Sequence, residues 1–164
     1  MIILGIDPGL SGAFAFLDTR DMTVTLEDMP TVEILRNKKR KNEVNAAQVA
    51  NVIAGRGIRH AFLERVGAMP GQGVTSVFSF GRSTGILEGV LAAYDIPTTI
   101  ITPQEWQKVA AVRDGKDAGR LRAAQLFPSA SSFFARKKDN GRSDAALIAW
   151  YGHATYKHLL ENNL

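Results

Sequence analysis

Met1-Ile2-Ile3-Leu4-Gly5-Ile6-Asp7-Pro8-Gly9-Leu10-Ser11-Gly12 opens the chain, and the fold turns on how this stretch is read. Its first six residues are almost wholly apolar and do not alternate with polar ones, the pattern of a strand buried on both faces. The run stops at an aspartate, turns through Pro8-Gly9, and a second apolar run follows from Ala13 to Leu17. A carboxylate therefore stands at the end of a central strand. Burying an ionised carboxylate is costly unless a cation or hydrogen bonds compensate it. Asp-Pro-Gly is also good turn chemistry, in which the Asp side chain caps nearby amides. Turn former and functional group both stand on this stretch alone, and acids at the ends of other elements are what would separate them.

The chain has 164 residues, of which 45% are hydrophobic, enough for one domain with a real core. It has no cysteine, which removes disulfides, thiolate catalysis and thiolate zinc sites together and suits a cytoplasmic protein. No early apolar run approaches the roughly 18 residues of a membrane span, and Asp7 interrupts the first, so neither a signal peptide nor a membrane helix is expected. Lys and Arg total 20 against 16 Asp and Glu, a modest excess of +4. The positive charge is clustered, in Arg36, Lys38, Lys39, Arg40 and Lys41 and again in Arg136, Lys137, Lys138 and Arg142. Such runs are commonly solvated loops, but two of them beside candidate acids point to a polyanionic partner.

After the opening hairpin, Val24 to Met29 alternates as a third strand, giving an antiparallel meander. The basic segment Arg36–Lys41 has no period and reads as an exposed loop. Asn45 to Ala54 is a short amphipathic helix closed by Gly55 and Gly57. His60-Ala61-Phe62-Leu63-Glu64 is another strand that finishes on a carboxylate, followed by a Gly- and Pro-rich loop, 65–73. Val74 to Tyr94 is the longest helical pattern, with Gly81, Gly85 and Gly89 in line on one face. Each costs about 1 kcal/mol relative to alanine, so another backbone is expected very close, either the protein's own sheet or a second subunit.

Thr98 to Ile101 is a β-branched strand. Thr102 caps the next helix, with Pro103 first and Glu105 three residues after the cap. A helix from Ala118 to Phe127 is stopped by Pro128, a serine-rich and basic loop follows, and the last helix starts near Ser143-Asp144 and runs to about Leu160. The order β-β-β-α-β-α-β-α-α-α predicts an α/β fold, with a mixed five-stranded sheet and helices on both faces.

Three acids now share a setting. Asp7 and Glu64 end strands, and Asp144 precedes the core-facing Leu147 and Ile148 by about one turn, on the face that meets the sheet. If the two strands are neighbours under the last helix, the carboxylates converge, an arrangement that suits Mg²⁺ or Mn²⁺ and phosphodiester hydrolysis. Plainer roles compete: Glu64 as an ion-pair partner of Arg65, Asp144 as a complement to the helix dipole, and Asp139 as a turn residue in Lys138-Asp139-Asn140-Gly141. His60 reads as structural, His153 and His158 as surface residues, and Trp106 and Trp150 as core.

The Ile6-Asp7-Pro8-Gly9-Leu10-Ser11-Gly12 opening, Glu64 at a strand end, the glycine-containing helix and Ser143-Asp144-Ala145-Ala146-Leu147-Ile148-Ala149 together resemble the RuvC-type Holliday junction resolvases. The phage-encoded branch is the most similar, through Lys137-Lys138-Asp139-Asn140-Gly141-Arg142-Ser143-Asp144 and Thr102-Pro103-Gln104-Glu105-Trp106-Gln107-Lys108. The resemblance spans nearly the whole chain. It implies a ribonuclease H-like fold, a homodimer in a bacterial or phage-infected cell, and Mg²⁺- or Mn²⁺-dependent nicking of opposed strands at a four-way junction, with no organic cofactor. It further implies Asp7, Glu64 and Asp144 as metal-holding catalytic residues, with Asp139 as a candidate fourth, and it places Gly81, Gly85 and Gly89 in a dimer interface. Lys38, Lys39, Arg40, Lys41, Lys116, Arg120, Lys137, Lys138 and Arg142 are the expected phosphate contacts. Two departures stand out. Bacterial members usually carry an acid or histidine where this chain has Gly141, and an aromatic wedge where it has Gly67, which leaves Met69 or another residue to enter the junction. The other readings are a nuclease for RNA–DNA hybrids or other branched DNA, a non-catalytic junction binder, and an actin-like ATPase fragment, for which 164 residues supply only one phosphate loop.

Overall fold

In the computed structural model the strands are β1 (Ile2–Asp7), β2 (Ala13–Asp18), β3 (Thr23–Asp28), β4 (Thr31–Arg36), β5 (Lys39–Val44), β6 (Ile58–Glu64) and β7 (Thr98–Ile101). The helices are α1 (Ala46–Ile53), α2 (Val74–Ala93), α3 (Pro103–Val109), α4 (Ala118–Leu126) and α5 (Asn140–Glu161). The structure describes residues 1–36, 38–65, 67 and 71–161, without the side chains of 39 and 157–161. Five strands form one mixed sheet in the order β3-β2-β1-β6-β7, antiparallel from β3 to β1 and parallel from β1 through β6 to β7. The opening strand is thus central, as its unbroken apolar run predicts.

Side chains alternate across a strand, so each central strand feeds two cores. Ile3, Ala13, Ala15, Leu17 and Phe62 pack with Ala145–Ala149 of α5 and with Trp106, Ala123 and Phe127. Leu4, Ile6, Phe14, Phe16, Ala61 and Leu63 pack with Val49 and Ile53 of α1 and Leu87 and Leu91 of α2. One layer of helices therefore covers each face.

Helix α5 lies almost directly on β1. A Cβ built at Gly5 would stand 2.2 Å from Ala145 O and 2.4 Å from Ala149 N. The same test at Gly152 meets the Phe62 ring at 2.4 Å, and at Gly141 it meets Ser11 O at 2.2 Å. The close-packed stripe of small residues is therefore on α5, at 141, 145, 149 and 152. The α2 glycines are different. Gly81, Gly85 and Gly89 are exposed, and a methyl group added at any of them would have nothing within 4 Å, so packing against the protein's own sheet does not account for them.

Three expectations need correction. The basic segment 36–41 is not a bare loop, because it belongs to the β4–β5 hairpin, which pairs from Thr31↔Val44 to Arg36↔Lys39. The like charges hide the alternation of Thr31-Val32-Glu33-Ile34, and Arg40 crosses to Glu33 at 2.8 Å while Val44 anchors the base in the core. Pro128 does not lead into a loop but opens a tight helical turn, Pro128–Phe134, that buries Ala130 and Phe134. Finally, α5 begins at Asn140, so Asp144 sits in its second turn. No helix among the described residues is long and apolar enough to cross a membrane.

Candidate active site

Strand parity aims the first two acids. Asp7 lies on the face of Ile3 and Gly5, and Glu64 lies on the face of Phe62, so both project toward α5. β1 and β6 are parallel neighbours with Ile6 opposite Leu63, which brings the two carboxylates out at the same edge, the carboxyl ends of the strands where open α/β sheets place their sites. Asp144 immediately precedes Ala145, whose carbonyl sits over Gly5. The three side chains are partly buried.

Their protonation reports the convergence. Burial, then the charges of Asp7 and Glu64, push the Asp144 carboxyl up to about 7. Glu64 is raised by burial and by Asp7, against a hydrogen bond from Trp106 that favours its ionised form. Asp7 is raised by burial, against a 3.0 Å hydrogen bond from Gly9 N to its Oδ1. Each upward shift comes from desolvation or like charge. Three hard oxygen donors without sulfur or histidine fit a hard divalent ion. Among the described residues no three such side chains already surround a common point at ligand distance. Like charges repel, and one oxygen each of Asp7 and Glu64 is tied to Gly9 and Trp106.

Both readings of Asp7 hold at once. One oxygen closes the turn through Gly9 N, and Gly12 N closes it further on Gly9 O at 2.8 Å. Gly12 is obligatory there, since a Cβ would lie 2.1 Å from Asp7 O. Sequence reasoning missed two neighbours. Trp106 does pack in the core, and its Nε1 also donates to Glu64 Oε1 at 2.8 Å. Gly119 of α4 passes so near Asp144 that its Cβ would stand 3.3 Å from Oδ1. The capping sequence 102–105 was the available signal for Trp106; nothing local marked Gly119.

Asp139 is placed otherwise. It is buried, and it accepts from Arg136 N at 2.8 Å, Nε at 3.1 Å and Nη2 at 2.9 Å. These bonds hold its carboxyl below the usual range, with Arg142 adding to the effect. Arg142 itself grips Asp28 through 2.6 and 2.7 Å bonds. Arg120 donates to Ala135 O at 2.8 Å and pairs with Asp117. Arg40, Arg120 and Arg142 are thus committed within the protein. Lys38, Lys41, Lys116, Lys137 and Lys138 are exposed and have no ion pair among the described residues. Met69 and the Lys39 side chain lie outside the described residues. His60 is structural, bonded to Thr99 Oγ1 at 2.8 Å and packed on Phe62 and Tyr156; His153 stacks on Trp150 rather than standing free at the surface.

A mixed five-stranded sheet in this order, with a layer of helices on each face, is the fold that solved RuvC structures share. Among solved structures, Thermus thermophilus RuvC in complex with Holliday junction substrate matches with a TM-score of 0.66 at 14% identity, over 97% of this chain and 96% of its own. A second Thermus thermophilus RuvC structure gives 0.58 at 15% over 97% and 96%. The fowlpox virus Holliday junction resolvase gives 0.54 at 15% over 97% and 99%. At such identities the likeness is one of fold. No protein-family model matches the chain, and no curated protein matches it in sequence.

Proposed function

We propose that this chain is a structure-selective DNA endonuclease that resolves four-way junctions, working as a homodimer with Mg²⁺ or Mn²⁺. The observation that carries this reading is the placement of Asp7 and Glu64 at the ends of paired parallel strands, with Asp144 on the helix packed over them, in a RuvC-like sheet. These three would hold the metal, which when bound supplies a nucleophilic water and neutralises charge on a scissile phosphate. The chain's own work is geometric. β1 and β6 fix two carboxylates side by side, and α5 brings the third over them through backbone contact with Gly5. Exposed Lys38, Lys41, Lys116, Lys137 and Lys138 provide phosphate contacts that hold shape rather than sequence.

Two symmetric nicks need two sites related by a two-fold axis. The exposed face of α2 supplies a self-complementary candidate surface, in which Val74 (86% exposed), Phe78 (60%), Gly81, Gly85 and Gly89 follow one another at helical spacing. The test is cleavage of a labelled synthetic four-way junction with and without Mg²⁺, beside Asp7→Asn. Paired nicks in opposed strands, lost in the variant while junction binding persists, are expected. Cleavage by Asp7→Asn at the wild-type rate would remove the acid set from the mechanism, and a preference for RNA–DNA hybrids at equal salt would change the substrate.

A further inference from the structure

Among the described residues, Trp106 is a buried polar group that reaches into the acid cluster from a helix with no acid of its own there. Its indole is 3% exposed, and Nε1 donates to Glu64 Oε1 at 2.8 Å. A buried indole N–H needs an acceptor. In this chain the acceptor is a carboxylate that also lies within the electrostatic reach of Asp7 and Asp144. We infer that Trp106 is a positioning residue, whose N–H fixes the orientation in which Glu64 presents its carboxylate to Asp7 and Asp144; this rests on the metal-site reading above.

The chain invests heavily in the placement of that indole. Ile101, the last residue of β7, is paired with Glu64 in the sheet, and Arg65 N bonds Ile101 O at 2.6 Å. Thr102 then caps α3 in a full capping box, with Thr102 N to Glu105 Oε2 at 2.6 Å and Glu105 N to Thr102 Oγ1 at 3.3 Å, and Pro103 sets the first helical position. Ile101 before the cap and Trp106 four residues after it occupy the two positions of a hydrophobic staple, and both belong to the core under α5. From the strand residue beside Glu64 to the indole, the six residues Ile101 to Trp106 carry a complete helix-start signal. That signal fixes the backbone from which the ring starts, and the core packing and the bond to Glu64 fix the ring itself.

The chemistry suits positioning. An indole N–H only donates, so Trp106 can neither bind a cation nor exchange a proton with the cluster. By occupying one oxygen of Glu64 it leaves the other as the available donor. Groups that orient a metal-holding side chain in this way are typically worth about 10- to 100-fold in metal affinity.

The metal titration uses the full chain without DNA, and junction binding is measured separately without metal. Trp106→Phe, and a second variant with benzothienylalanine at 106 that keeps the bicyclic shape but lacks the N–H, are titrated with Mn²⁺ by calorimetry. The expected result is Mn²⁺ binding weakened by about 10- to 100-fold in both, with metal-free junction affinity unchanged because the ring is buried. In the isostere the melting temperature should stay near wild type, which separates orientation from packing. Wild-type Mn²⁺ affinity in the isostere overturns the inference while leaving the metal site intact. Absence of Mn²⁺ binding by the unsubstituted chain instead overturns the metal reading, and this inference with it.

Discussion

Gly5→Ala tests the contact on which the site's geometry depends. The added methyl would stand 2.2 Å from Ala145 O, 2.4 Å from Ala149 N and 3.0 Å from Ala149 Cα. Ordinary C···O contacts lie at about 3.3–3.6 Å, so β1 and α5 must separate by about 1 Å. Both obstacles are backbone of central elements, so no side chain can rotate away. Overpacking costs about 1–3 kcal/mol, and rigid neighbours put this site at the upper end, while relief of glycine in a strand returns about 0.5–1 kcal/mol. The net loss is about 2 kcal/mol, or roughly 4–8 °C in melting temperature for a chain this size. On the nuclease reading cleavage should suffer more than the fold, because the gap opens between the elements that carry Asp7 and Asp144, and a misplacement of about 1 Å can cost about 100-fold in rate. Thermal denaturation followed by circular dichroism gives the first quantity, and junction cleavage well below the variant's melting point gives the second. A melting temperature within about 1 °C of wild type, with unchanged cleavage, would show that α5 does not sit on Gly5 as described.

Two further outcomes follow from the same structure. Asp144 titrates near 7 when folded against 3.8 as its ordinary value, so between those limits the native state retains a proton that the unfolded chain has released, and stability should fall as pH rises through that window. His60, lowered by burial, acts in the opposite direction, so the measurement is the difference in melting temperature between wild type and Asp144→Asn at pH 5 and pH 8, with Mg²⁺ expected to restore wild-type stability at the higher pH. Gly85→Leu places a side chain in open space on a helix, so the monomer should be as stable or up to about 1 kcal/mol more stable. On the dimer reading, sedimentation should show weakened self-association together with loss of paired nicking, whereas an unchanged dimer would move the interface off this face.

The sheet was legible because its strands are short apolar runs punctuated by Asp, Gly and Pro, and because their order alternates with helices. The strand-end acids were legible for the same reason: a carboxylate that ends an apolar run is conspicuous. What stayed hidden depends on contacts between distant segments. The β4–β5 hairpin is masked by its cations, whose repulsion is relieved by Glu33 beside Arg40 and by Glu43 at 3.8 Å from Arg36; Glu43 also meets Arg82 of α2 at 3.2 Å. Arg142 reads as a phosphate contact until Asp28, more than a hundred residues earlier, is seen to occupy it. The small residues were visible on both long helices. Only the packing distinguishes Gly141, Ala145, Ala149 and Gly152, which seat α5, from Gly81, Gly85 and Gly89, which face outward.

The same packing bears on the missing fourth acid. Resemblance puts it at position 141, where this chain has glycine. A Cβ there would lie 2.2 Å from Ser11 O and 2.8 Å from Gly12 Cα, so no side chain fits while α5 starts against the β1–β2 turn. Asp139 could serve only by giving up three hydrogen bonds from Arg136, in a buried position where its charge is already balanced. Losing those bonds would leave the buried Asp139 carboxylate without its donors, although Arg136 itself is largely exposed and solvent screens the pair. The loss of an acid at 141 and the tightness of the turn are therefore one feature. Gly141 lets the start of α5 rest on Ser11 and Gly12, and the turn those residues close is the one that holds Asp7 through Gly9. A fourth carboxylate at 141 would add a donor by lifting the helix that aligns the other three. On the proposed reading the acid set is Asp7, Glu64 and Asp144, while Asp139 is held by Arg136 just before α5 begins.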